Sequence, residues 1–122
     1  MNLELAHIVL NVADVSRSKE FYAEKLGLEL IEEHPKSFAV RAGHVRITVS
    51  PGGEDSDADS GVTVIFRVDD IDDAVSSLKE KGVRFSGEVL EAPGFMRFVS
   101  FEDPDGNQLM LGQYARDPLE KV

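Results

Sequence analysis

The chain has 122 residues, 42% of them hydrophobic, and no cysteine. That is the size of one domain with a real core, and it excludes disulfides, thiolate metal sites and a cysteine nucleophile. The formal charge of −10 opposes nucleic-acid binding, which needs Lys and Arg to neutralise phosphate; it reads first as a contribution to solubility and second as a long-range attraction for a cationic ligand. No window is long enough to span a membrane and the start is not basic, so a soluble, cytoplasmic protein without a membrane partner is expected.

In chain order, a first strand ends at Val12 and Asp14 is placed to cap a helix from Val15 to about Leu26. Val15, Ser18, Tyr22 and Leu26 share one face of that helix, and Gly27 stops it. Strand-like stretches follow at about 28–33, 37–42 and 44–50. A turn-rich acidic stretch over 51–61 reads as a linker. A fifth strand then leads to Asp70, a second predicted cap, and to a helix from Ile71 to about Lys81 that buries Ile71, Ala74, Val75 and Leu78. Gly82 stops it, and strands are expected at about 83–91, 96–102 and 107–113 before a polar tail at 115–122. Each half therefore reads β-α-β-β-β: module one at 1–50 and module two at 62–114.

Alternation assigns faces. Ala6, Ile8, Leu10 and Val12 should pack on a helix, leaving Leu5, His7, Val9 and Asn11 opposite. Val62, Val64, Phe66 and Val68 should pack, leaving Thr63, Ile65 and Arg67 opposite; Leu109 and Leu111 pack, with Gln108 and Met110 opposite. The fourth strand, where Val45, Ile47 and Val49 alternate with Arg46 and Thr48, does not fix its own register.

The duplication together with the closing run Phe101-Glu-Asp-Pro-Asp-Gly-Asn-Gln-Leu-Met110-Leu111 resembles the vicinal oxygen chelate superfamily, home of glyoxalases, bleomycin-resistance proteins and extradiol dioxygenases. The resemblance covers nearly the whole chain as a single domain. It implies an α+β fold in which two paired modules form an open eight-stranded cup, a homodimer, and a divalent metal held by His and Glu from four strands. In this chain the matching positions are His7, Thr63, a fourth strand with neither carboxylate nor imidazole, and Met110 in place of the Glu. A thioether does not replace a carboxylate on a hard or borderline cation. The resemblance thus implies a small-molecule-binding protein of the bleomycin-resistance kind without the usual metal and without another cofactor. The alternative is a divalent-metal-dependent lyase, isomerase or dioxygenase with an atypical site.

The residues expected to contact the ligand are His7, Arg46, Thr48, Thr63, Ile65, Phe95, Arg97 and Met110. His7 is the one catalytic candidate; it is either a hydrogen-bonded imidazole lining the cup or a ligand-contacting, proton-transferring group. Arg97, with Arg46 if that residue turns inward, could clamp an anion, or it could pair with Glu88, Glu91 or another surface acid. Phe38, Met96 and Phe101 are further wall candidates, although such residues are more often core. His34 and His44 fall in turns and receive no role. The run Asp55-Ser-Asp57-Ala-Asp59-Ser-Gly61 fails as a calcium loop, because its glycine is one place late and Phe66 stands where the bidentate Glu belongs. No Gly-rich phosphate loop, Ser-His-Asp arrangement or carboxylate pair at cup-facing positions is present.

Overall fold

A computed structural model describes residues 2–52 and 61–122. The acidic stretch containing Glu54, Asp55, Asp57 and Asp59, and with it most of the linker and of the calcium-loop pattern, lies outside the described residues. The described residues fall into two compact units. The N-terminal unit runs from His7 to Thr63 and includes Leu119–Val122; the C-terminal unit is Val64–Pro118 with the residues up to Ala6.

The N-terminal unit contains most of β1 (Glu4–Val12), α1 (Val15–Lys19), a π-helical turn (Glu20–Lys25), β2 (Glu29–His34), β3 (Ser37–Ala42) and β4 (Val45–Pro51). Its strands are ordered β2-β3-β4-β1, with β4 parallel to β1 and the other pairs antiparallel. Asp14 is the expected cap, its carboxylate accepting the Arg17 N–H at 3.0 Å. The expected single α-helix to Leu26 is not formed. From Glu20 the turn widens, and the Leu26 N–H bonds the Phe21 carbonyl, five residues back. A wider turn rotates later residues off the packed stripe. Val15, Tyr22 and Leu28 therefore pack on the core of Phe38, Val40 and Val49, while Leu26 and Phe21 are left about half exposed. Gly27 ends the segment at a φ of 71°, a conformation open to glycine without a Cβ penalty.

The C-terminal unit repeats the plan with β5 (Val62–Arg67, from Val64 on), α2 (Ile71–Glu80), β6 (Leu90–Ala92), β7 (Met96–Glu102) and β8 (Gln108–Tyr114). Its order is β5-β8-β7-β6, with β5 and β8 parallel. Asp70 caps α2 through the Asp73 N–H at 3.1 Å, and the Gln113 side-chain oxygen on β8 accepts the Ile71 N–H at 2.9 Å. Ile71, Ala74, Val75 and Leu78 pack with Phe66, Val68, Val99, Phe101, Leu109 and Leu111, as the helical spacing predicts. A fully buried side chain of this kind contributes roughly 1.5–3 kcal/mol.

Two strand expectations change. The stretch 83–91 is mostly irregular: Phe85 makes an isolated bridge to Phe101, Gly87 stands at a φ of 139°, and pairing begins only at Leu90. Val62, expected to pack, is 54% exposed. The fold class is nonetheless the expected α+β, written twice as β-α-β-β-β. The C-terminal residues are anchored: the Val122 N–H bonds the Ile31 carbonyl at 2.7 Å, and Arg41 reaches the Leu119 carbonyl at 3.3 Å.

Candidate functional site

The N-terminal sheet has two faces, and β4 register decides what each carries. Ile8, Leu10 and Val12 pair with Ile47, Val49 and Pro51 in the rows that turn to the helix side. His7 pairs with Arg46 and Val9 with Thr48 in the rows between, so the β4 polar residues join His7 on the opposite face. His7 Nε2 lies 2.7 Å from Thr48 Oγ1. Arg46 Nε donates to the same hydroxyl oxygen at 3.0 Å. Both Arg46 terminal nitrogens donate to Glu32 Oε1, at 3.3 and 3.4 Å. Glu32 Oε2 in turn meets His34 Nε2 at 2.5 Å.

Glu32 reaches this face through a bulge. Leu30 pairs with Val40 and Glu32 with Ala39, leaving Ile31 as an extra residue in β2. Without it, alternation would send Glu32 to the helix side. Ala39 also pairs with Thr48, so it stands in the same row as both. Two strand spacings separate β2 from β4, about 9.5 Å. A methyl at Ala39 leaves a path over which the long Arg46 side chain crosses to Glu32. Arg46 and Glu32 are almost withdrawn from water, with side-chain exposures of 6% and 12%. Such a pair is retained only where hydrogen bonds offset desolvation.

His7 is 3% exposed. Burial, reinforced by the Arg46 charge, pushes its imidazole down to about 3, so the ring is neutral near pH 7.

The remaining candidates lie elsewhere. Ile65 and Met110 are register partners of β5 and β8 on the face away from the α2 core. Gly112 follows on the same face, and a Cβ there would come within 2.6 Å of Met96 Cε and 3.1 Å of Ile65 Cγ2. Phe95 stacks edge-on against Tyr114 with centroids 5.7 Å apart, beneath the Arg116 guanidinium. Phe95, Arg97 and Tyr114 help to line a small cavity of about 160 Å³. Arg97 itself is held in a two-point ion pair with Asp72, at 3.1 and 3.2 Å. Thr63 is half-buried on β5. Phe38 and Phe101, named as wall candidates, belong to the helix-side cores.

Glu32 was not among the residues expected from sequence. Its signal is the pair of consecutive apolar residues Leu30-Ile31, which breaks strand alternation and marks the bulge. His34, given no role, is its partner.

The sequence profile of the Glyoxalase/Bleomycin resistance protein/Dioxygenase superfamily matches residues 4–111. The chain belongs to that superfamily. It is 28% identical to the uncharacterized protein YetH of Bacillus subtilis, over 88% of this chain and 96% of that one. A hypothetical protein of Bacillus halodurans superposes with a TM-score of 0.78 at 19% identity, covering 93% of this chain and 95% of its own. The methylmalonyl-CoA epimerase of Mycobacterium tuberculosis does so with 0.77 at 23%, covering 92% and 88%. These two likenesses establish the fold.

Superfamily metal sites are built from imidazoles and carboxylates, and the donors here fit poorly. His7 Nε2 is engaged by Thr48, and a guanidinium stands at the paired position on β4. That fixed positive charge opposes a divalent cation. Thr63 and Met110 supply a hydroxyl and a thioether. Among the described residues, no group of three or more His, Cys, Asp or Glu side chains stands together as metal donors.

Proposed function

We propose that the protein binds a small organic molecule through the β1–β4 polar face, with the His7–Thr48–Arg46–Glu32 chain taking the place a metal ion holds in metal-dependent relatives. The observation that carries this reading is the shared Thr48 hydroxyl, bonded at once by His7 and by a buried arginine. Burying a guanidinium and a carboxylate costs several kcal/mol unless geometry is well matched, and a site for polar recognition accounts for keeping them. The ligand has an apolar body and polar groups complementary to a guanidinium–carboxylate pair. The chain's charge of −10 favours a cationic ligand over an anionic one at long range. We also propose a homodimer, since Phe21, Leu26 and Leu90 expose large apolar surfaces; sedimentation giving only a 13.4 kDa species at micromolar concentration contradicts that part.

Saturation-transfer NMR against a small-molecule library, run with and without EDTA, tests the binding reading. The expected hits persist in EDTA and weaken at least about tenfold in Arg46→Lys, which keeps the charge but loses the fork. Hits that vanish in EDTA and return with manganese, zinc or nickel contradict it. They point instead to a metal-dependent lyase, isomerase or dioxygenase.

A further inference from the structure

We propose that Val122 is a positioning residue for the polar face: its backbone N–H pins the bulge carbonyl of Ile31 and so keeps Glu32 turned toward Arg46. The structural part stands alone, and its meaning for a ligand rests on the binding reading above.

The argument starts from a weak point in β2. In the order β2-β3-β4-β1 this strand has a neighbouring strand on one side only. Within it Leu30 pairs with Val40 and Glu32 with Ala39, so Ile31 has no register partner on β3. A bulge interrupts the ladder at such a residue. Register is weakly held in an edge strand whose ladder is interrupted, and a slip of one residue turns the following side chains to the other face.

The two residues after the bulge show what a slip would change. Glu32 is on the polar face, paired with Arg46. Glu33 reaches the other way and is ion-paired with Lys19 at the end of α1. A slip that erased the bulge would set Ile31 opposite Ala39, in the row of Thr48, and send Glu32 to the helix side. The buried guanidinium would then face an aliphatic side chain where it now meets a carboxylate.

The residues from Leu119 onward hold the bulged form. The Val122 N–H donates to the Ile31 carbonyl at 2.7 Å. Three residues earlier, the Leu119 carbonyl accepts from Arg41 on β3 at 3.3 Å. Arg41 is also ion-paired at 3.6 Å with Glu29, its register partner at the start of β2. The segment therefore runs from the Glu29–Arg41 pair to the bulge. Ile31 is 1% exposed, so its carbonyl has almost no access to water, and a buried carbonyl needs a partner. Because a slip displaces that carbonyl, the bond from Val122 favours the bulged register over the slipped one. Glu32, so placed, holds both terminal nitrogens of Arg46 and steadies Nε on Thr48.

Hydrogen exchange of the ligand-free protein, read by ¹⁵N NMR at the Val122 amide and at the Arg46 Nε–H, tests the proposal. In the wild type the two protection factors should agree within about threefold, because release of the segment and loss of Glu32 are one opening. Val122→Pro deletes the N–H and is expected to cut Arg46 protection at least about tenfold while the α2 amides keep theirs. Val122→Ala, which keeps the N–H, should match the wild type. A wild-type Val122 amide exchanging more than about tenfold faster than Arg46 Nε–H overturns the proposal, because the segment then opens without releasing the arginine. So does unchanged Arg46 protection in folded Val122→Pro, or an equal loss throughout α2, the mark of general destabilisation. If Val122→Pro does not fold, the wild-type comparison decides. Since no ligand is present, the two readings fail separately: linked exchange in a protein that binds no library member leaves this proposal standing and removes the binding one.

Discussion

The two units share a topology and differ in the chemistry of one face. On the helix side they match closely: Leu10, Val12, Ile47 and Val49 in one correspond to Phe66, Val68, Leu109 and Leu111 in the other, all apolar. On the opposite face, β1 and β4 carry His7, Arg46 and Thr48, whereas β5 and β8 carry Ile65, Met110 and Gly112, with Arg67 paired to the glycine. The shared face holds the duplicated fold together. The divergent face, with a hydrogen-bonded charged chain in one unit and a mainly apolar surface packed closely around Gly112 in the other, is free of that constraint.

Perturbations of each face sharpen the contrast. The largest effect is expected from Glu32→Ala, which removes the carboxylate paired with the buried Arg46 charge; urea unfolding should show a loss of about 3 kcal/mol. Glu32→Ala and Arg46→Met combined should cost less than the sum of the singles, because each single already breaks the shared ion pair. Additive losses would mean that the two groups are not coupled.

The apolar face should respond to volume instead. Gly112→Ala places a methyl against Met96 and Ile65 and is expected to cost about 1–3 kcal/mol. In a Met96→Ala background the same substitution should cost markedly less, since the closest atom is removed. An equal cost in both backgrounds would shift the cause to the remaining close neighbours, Ile65 Cγ2 at 3.1 Å and Tyr114 Cε2 at 3.3 Å.

Acid separates the faces too. Unfolded His7 takes its proton near pH 6.5, whereas the folded ring does so only near 3. Between those values the unfolded state binds more protons, so stability falls as pH drops, by up to about 1.4 kcal/mol per pH unit. Above pH 6.5 the contribution is complete. His7→Asn should flatten the stability profile between about pH 6.5 and 5, above most carboxylate titration. Superimposable profiles would contradict the buried neutral ring.

The smallest effects fall on features that the units share. Asp14→Ala and Asp70→Ala should each cost about 1 kcal/mol, because both remove the same cap. Asp72→Ala should cost less than about 1 kcal/mol, since the Arg97 pair is exposed.

These features also mark what can be read from the chain alone. The caps, the stopping glycines, the core alternation and the repeat are local patterns, and each is visible in a few residues. The polar face is not local. Arg46 and Thr48 alternate with Val45, Ile47 and Val49 in a way that leaves their direction open; pairing with β1 settles it. Glu32 belongs to the site through one bulge residue, Ile31, and through the smallness of Ala39 on the intervening strand. The π turn and the short β6 likewise depend on packing and glycine placement rather than on helical or strand propensity.

The central claim is that a hydrogen-bonded arginine chain, and not a divalent ion, organises the His7 face. Thermal unfolding of the chelator-treated protein with added nickel, zinc or manganese tests it most directly, because an ion that binds the folded state must raise its melting temperature. The account predicts no saturable rise for any of the three. A saturable rise that disappears in His7→Ala would contradict it.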